Sequence, residues 1–115
     1  MKANDVLKVA RSFLKDSESP YRWETHTLMS FMDIAQRSVS SMRPDALIDT
    51  DGTLITLSDV SGGTANTTLN LDDKWKDCMA HLVAAYAYST DARDPGDASR
   101  ATTHFETFAA MVRVA

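Results

Sequence analysis

A chain of 115 residues with 43% hydrophobic and 24% charged side chains can bury one modest core and is too apolar to be disordered. Its formal charge of −4 disfavours general binding to a phosphate backbone, and the stretch from Asp51 to Asp73 holds Asp51, Asp59, Asp72 and Asp73 with no base among them. A lone cysteine, Cys78, excludes an internal disulfide, and no apolar run reaches the length of a membrane span.

The first stretch, MKANDVLKVARSFLKD, carries charges throughout and is not patterned as a secretory signal. Asn4 or Asp5 can cap a first helix, in which Val6, Leu7, Ala10, Phe13 and Leu14 recur at helical spacing. Asp16 to Pro20 has the composition that stops it. Tyr21 and Trp23 follow in a loop. Trp23 reads as a large side chain closing one end of the core, with an exposed contact anchor as the alternative. Thr25 can cap a second helix, with Glu24 leaving its exact start open; its stripe is Leu28, Phe31, Met32, Ala35, Val39 and Met42, and Pro44 ends it.

The pattern then changes. Leu47–Thr50 and Thr53–Leu57 are short β-branched and apolar runs around Asp51-Gly52, a two-residue hairpin signal, and Thr67–Leu71 reads as a third strand. Asp72 and Asp73 open a third helix whose face is Trp75, Met79, Leu82, Val83 and Tyr86. Ala80, Ala84, Ala85 and Ala87 keep that helix slim, allowing close approach by a neighbour. The loop from Asp91 to Gly96 ends it. Asp97 or Ser99 caps a fourth helix with the stripe Ala101, Phe105, Phe108, Ala109 and Val112, antiparallel to the third. The apolar end, Ala109 to Ala115, is expected to pack on the bundle or to insert into a partner. The fold class expected is mainly α. A small four-helix bundle-like domain spans 1–115, with a short β-hairpin or small sheet inserted between helices 2 and 3, at about residues 46–71.

Chemistry-bearing motifs are absent. There is no glycine-rich phosphate loop, dinucleotide fingerprint, EF-hand loop or zinc-protease motif. No catalytic, cofactor-binding or metal residue is assigned, and an enzyme is not expected. His81 and His104 fall on helices expected to be neighbours, which leaves a metal pair open. Cys78, three residues before His81, reads more simply as a small buried side chain. The residues singled out are the core or contact anchors Trp23, Trp75, Tyr86, Phe105 and Phe108, and the interface charges Arg43, Arg93, Asp51 and Asp59.

Two blocks carry a resemblance. One runs from Asn4-Asp5-Val6-Leu7 through Arg22-Trp23 and Leu28 to Ala35-Gln36, ending at Met42-Arg43-Pro44-Asp45-Ala46. The other is Ala84-Ala85-Tyr86-Ala87-Tyr88-Ser89-Thr90-Asp91, followed by Asp97-Ala98-Ser99-Arg100-Ala101 and His104-Phe105. Their order resembles the small head–tail adaptors of tailed phages, the connector proteins that dock beneath the portal. Many members of that family have a longer central β-rich insertion than the stretch present here. The resemblance implies a structural virion protein without enzymatic activity. It would be made in the bacterial host cytoplasm and located at the neck. It also implies self-association into a ring, commonly of twelve copies, with the portal protein on one side and a tail or nozzle protein on the other. DNA would pass through the channel without sequence-specific binding, and no membrane or cofactor is involved. A small soluble helical protein-binding or regulatory module is the alternative.

Overall fold

The computed structural model describes residues 1–114; Ala115, the last residue of the expected apolar tail, lies outside them. Four α-helices are present among the described residues: α1 (Ala3–Leu14), α2 (Thr25–Met42), α3 (Lys76–Thr90) and α4 (Pro95–Val114). Short 3-10 turns at Pro44–Leu47 and Asp73–Trp75 follow α2 and lead into α3. No helix is long and apolar enough to cross a membrane.

The helix starts differ from those expected, for reasons of hydrogen bonding. α1 begins at Ala3, ahead of Asn4 and Asp5. Asp5 reaches back to accept the Lys2 backbone N–H at 2.9 Å, and the free N–H groups of Ala3 and Asn4 donate to Thr67 O and Ala65 O. Thr25 is the first residue of α2, preceded by Glu24, and its hydroxyl accepts from Arg11 at 3.2 Å. α4 begins at Pro95, two residues before Asp97. Proline has no N–H to leave unpaired at that position, and the Asp94 side chain accepts the Asp97 N–H at 3.0 Å. Asp72, as expected, supports the turn into α3 by accepting the Lys74 N–H at 3.0 Å.

α3 departs most from the single apolar face expected. Cys78, Met79, Ala80, Leu82, Val83, Ala84, Ala85, Ala87 and Tyr88 are all buried, whereas Tyr86 is only half-buried. A helix apolar all round is an interior helix. α1, α2 and α4 pack around α3 and touch one another little. The alanines bring those backbones close on every side. Val6, Leu7, Ala10 and Leu14 of α1, Leu28, Met29, Met32, Ala35 and Val39 of α2, and Ala101, Phe108 and Val112 of α4 complete the core. Phe13, Phe31 and Phe105 are half-buried at its edge, and Met42, expected in the α2 stripe, is 46% exposed.

The expected hairpin or sheet between helices 2 and 3 does not form: no strand is present among the described residues. The Asp51-Gly52 turn is there, with Gly52 at φ 86°. Asp49 N–H donates to Thr53 O and Gly52 N–H to Asp49 O. Ile55 N–H donates to Leu47 O at 2.6 Å, so a single bridge, Ile48 to Leu54, forms across it. Residues Pro44–Leu47, which would extend the first arm, are wound into a 3-10 turn, so too short a run is left for a ladder. Thr67–Leu71 is likewise not a strand in a sheet; Thr68 makes a single bridge to Lys2 at the start of α1. Residues 56–72 form a strap whose backbone is satisfied partly by the start of α1, with Leu69 N–H donating to Met1 O at 2.8 Å, and partly by side chains. Gln36 donates to Ser58 O, Asp33 accepts Val60 N–H at 3.1 Å and Asn70 accepts Ser58 N–H at 3.3 Å. Val60, Leu69 and Leu71 plug the strap into the core.

Two arginine knots fix the loops. Arg11, buried on α1, donates to Asp16 Oδ2 and Trp23 O, both at 3.0 Å. Arg22 lies over the Trp23 ring, 4.0 Å from its centroid, and donates to Asp97 Oδ2 at 2.8 Å and to Asp91 O. The Asp97 carboxyl is held down at about 2 by the Arg22 hydrogen bond, the Arg93 N–H and Arg100. A carboxyl lowered on folding contributes stability above its free value that is lost as pH falls through its folded value. The melting temperature should therefore fall as pH drops from about 4 to about 2. Asp97→Asn should flatten that segment of the curve; an unchanged slope would assign the acid sensitivity elsewhere.

Candidate functional site: an apolar groove between α2 and α4

Because α2 and α4 both lean on α3 and touch each other little, a groove of about 530 Å³ stays open between them. Its floor is Leu82 and Tyr86 of α3. One wall is Ile34, Ser38, Ser41 and Met42 of α2, and the other is Phe105 and Phe108 of α4. The aromatic side chains are ordered by one another: Tyr86 meets Phe105 edge-on at 5.3 Å and stacks on Phe31 at 5.9 Å. Ile34 is 41% exposed on the rim. Arg37 stands at the same rim, tied to Asp33 at 3.0 Å. Burial works against ionisation of Asp33. Hydrogen bonds from Arg37, the Val60 N–H and Gln36 outweigh it and hold the carboxyl below its ordinary value. The groove is thus an apolar trough with a fixed charge pair at its edge and few polar atoms inside.

The expected anchors divide. Tyr86, Phe105 and Phe108 come together in the groove. Trp23 and Trp75 do not reach it and are core residues. Trp23 Nε1 donates to Ala87 O at 3.2 Å and its ring meets Tyr88 edge-on at 5.6 Å, while Trp75 is fully enclosed beneath Lys74 and Arg43. Ile34 and Met42 were not among the anchors read from the sequence. Met42 belongs to the expected core stripe and Ile34 to none, because both positions follow from how far α4 stands from α2.

The expected interface charges are largely occupied within the chain. Arg43 is a corner post: it chelates Asp45 through Nε and Nη2 at 2.9 and 2.8 Å and donates from Nη1 to Val112 O at 2.9 Å, near the end of α4. Arg93 is exposed beside Asp91 at 3.5 Å. Asp51 accepts the Thr53 N–H, and Asp59 accepts the Ser61 N–H and hydroxyl. These bonds hold both carboxyls below their ordinary value and leave them exposed. A second hollow, of about 610 Å³, lies between the Asp51-Gly52 turn and Trp75. It is lined by Asp45, Asp49, Asp72 and Lys74 among others.

Cys78 is buried, its thiol donating to Trp75 O at 3.3 Å and pushed up to about 11 by burial, so it is a protonated packing group at neutral pH. His81 and His104 do meet, as their helices suggested, with the two Nδ1 atoms 2.9 Å apart. No group of three or more metal-ligating side chains is present among the described residues. The expected apolar terminus splits: Val112 is buried, Met111 half-buried and Val114 exposed.

Compared with protein-family models, curated proteins and solved structures, the chain matches none. Its function is therefore argued from its own residues.

Proposed function

We propose that this chain is a structural subunit of a tailed-phage neck. In this reading it is a head–tail adaptor that assembles into a ring between portal and tail, extends the DNA channel and presents a platform for the tail. The groove between α2 and α4 is the observation that carries the reading. It is an ordered apolar surface, with no cluster of titratable groups inside it, of the kind a protein neighbour covers. The residues of the resemblance support it from another side. Arg22-Trp23 and Arg43-Pro44-Asp45 form the two joints that hold loops and helix ends in place.

The occupant we assign to the groove is the neighbouring copy, through the exposed pair at its Asp51-Gly52 turn. Ile48 is 55% and Leu54 73% exposed, and they pair across the turn as an apolar patch at the edge of the hollow between that turn and Trp75. An exposed apolar patch on one surface and a trough on another make a heterologous contact, which closes into a ring when the rotation between copies allows. Mass determination of the protein, alone and with its cognate portal assembly, tests this. The expected result is a fixed number of copies added per portal. Leu54→Asp, at an exposed site, should leave the melting temperature unchanged and abolish stoichiometric addition. A defined one-to-one complex with another protein would favour the binding-module reading. Full addition by Leu54→Asp would remove the Ile48–Leu54 patch from the interface.

A further inference from the structure

His81 on α3 and His104 on α4 have their Nδ1 atoms 2.9 Å apart and their ring centroids 5.1 Å apart. The centroid distance is close to the nitrogen separation plus one ring radius at each end. Each Nδ1 therefore lies nearly on the line joining the rings, which is the arrangement of an N–H···N hydrogen bond. Two imidazoles sharing a metal ion converge on a third point and, at this nitrogen separation, would hold their centroids closer. Phe13 of α1 stacks on both rings, at 4.2 and 5.4 Å, and Tyr88 stacks on His104 at 6.0 Å. Three helices thus meet at this pair of rings.

The surrounding titratable and charged groups are few. On α3, Asp77 lies one turn before His81. The Cys78 thiol is turned to Trp75 O, and the Tyr88 hydroxyl donates to Phe13 O at 3.3 Å. On α4, Arg100 lies one turn before His104 and is held by Asp97 at 2.8 Å and Asp94 at 3.7 Å. α1 covers the pair with the Phe13 ring.

We infer that the His81–His104 pair is a proton-operated latch joining α3 to α4 and, through Phe13, to α1. In the neutral pair one Nδ1 carries the proton and the other accepts it. A first added proton goes to Nε2 of the donor ring, and the hydrogen bond survives as a charge-assisted one. A second must go to the accepting Nδ1. Two N–H groups on two cations would then face each other, so the bond is lost and the rings part. Burial lowers both imidazoles below the ordinary histidine value. The charge of His104 lowers His81 further, against the opposing pull of Asp77. Groups lowered in this way favour the neutral form, so the latch is shut at neutral pH and opens as pH falls below the ordinary histidine range.

The test is a histidine side-chain NMR titration of the full chain from about pH 8 to pH 4, with melting temperatures over the same range. His81 and His104 should titrate in two coupled steps separated by more than about one pH unit, with the Phe13 ring signals moving at the second. The melting temperature should fall by several degrees across the second step. The fall should be absent in His104→Gln and in His81→Phe, which keeps the stack on Phe13. Independent single-step titration of both imidazoles, without movement of Phe13, would overturn the latch, as would an equal fall in the variants. The wild-type titration decides the matter even where a variant does not fold.

Discussion

Trp75→Ala should destabilise the protein by about 3–5 kcal/mol, the range for truncating a buried tryptophan. Trp75 is among the largest fully enclosed side chains, and it sits where the strap, the turn after α2 and the start of α3 converge. Lys74 and Arg43 lie over its ring at 5.0 and 5.4 Å, closing the site from the solvent side. A single domain has about 5–15 kcal/mol in total, so this one change removes a large share. Urea titration should show a lower midpoint with an unchanged slope. A loss under about 1 kcal/mol would mean that the neighbouring segments collapse into the space, and that the ring does not hold them apart.

Arg11→Met should lose about 3–5 kcal/mol, the range for removing one partner of a buried ion pair. The Arg11 and Asp16 side chains are only 9% and 6% exposed. Without the guanidinium, Asp16 keeps the N–H groups of Arg22 and Trp23, at 2.7 and 3.1 Å, but has no counter-charge. Trp23 O and the Thr25 hydroxyl also lose their donor. A cycle with Asp16→Asn measures the coupling. Strong non-additivity is expected, because each substitution alone strands the other group. Additive losses would show that the loop after α1 is held by packing alone.

The four helices were legible because three have apolar residues at helical spacing and because Pro20, Pro44 and the Asp91–Gly96 loop bound them. α3 was legible as a helix, and its alanines as positions where a neighbour comes close. That neighbours stand on three sides, and not on one apolar face, depends on the placement of the other three helices. The region between helices 2 and 3 was read as sheet because Asp51-Gly52 and the β-branched runs are local signals. The partners that take up its backbone, Asp33, Gln36 and the first turn of α1, are distant in sequence and look like ordinary polar positions. The groove was half legible: Tyr86, Phe105 and Phe108 stood out as aromatic, but their convergence with Ile34 and Met42 depends on the gap between α2 and α4. The histidine pair was suggested by helix adjacency, whereas the collinear nitrogens that distinguish a shared proton from a metal were not.

The placement of α3 has a consequence for cooperativity. The outer helices are coupled to one another chiefly through the helix they surround, not through direct contacts. Local opening of α1, α2 or α4 would uncover one side of α3 while the other two remain seated, so the domain can fray by separate leaves around a persistent spine. Amide protons on α3 should then be the last to exchange with solvent, whichever outer helix opens first.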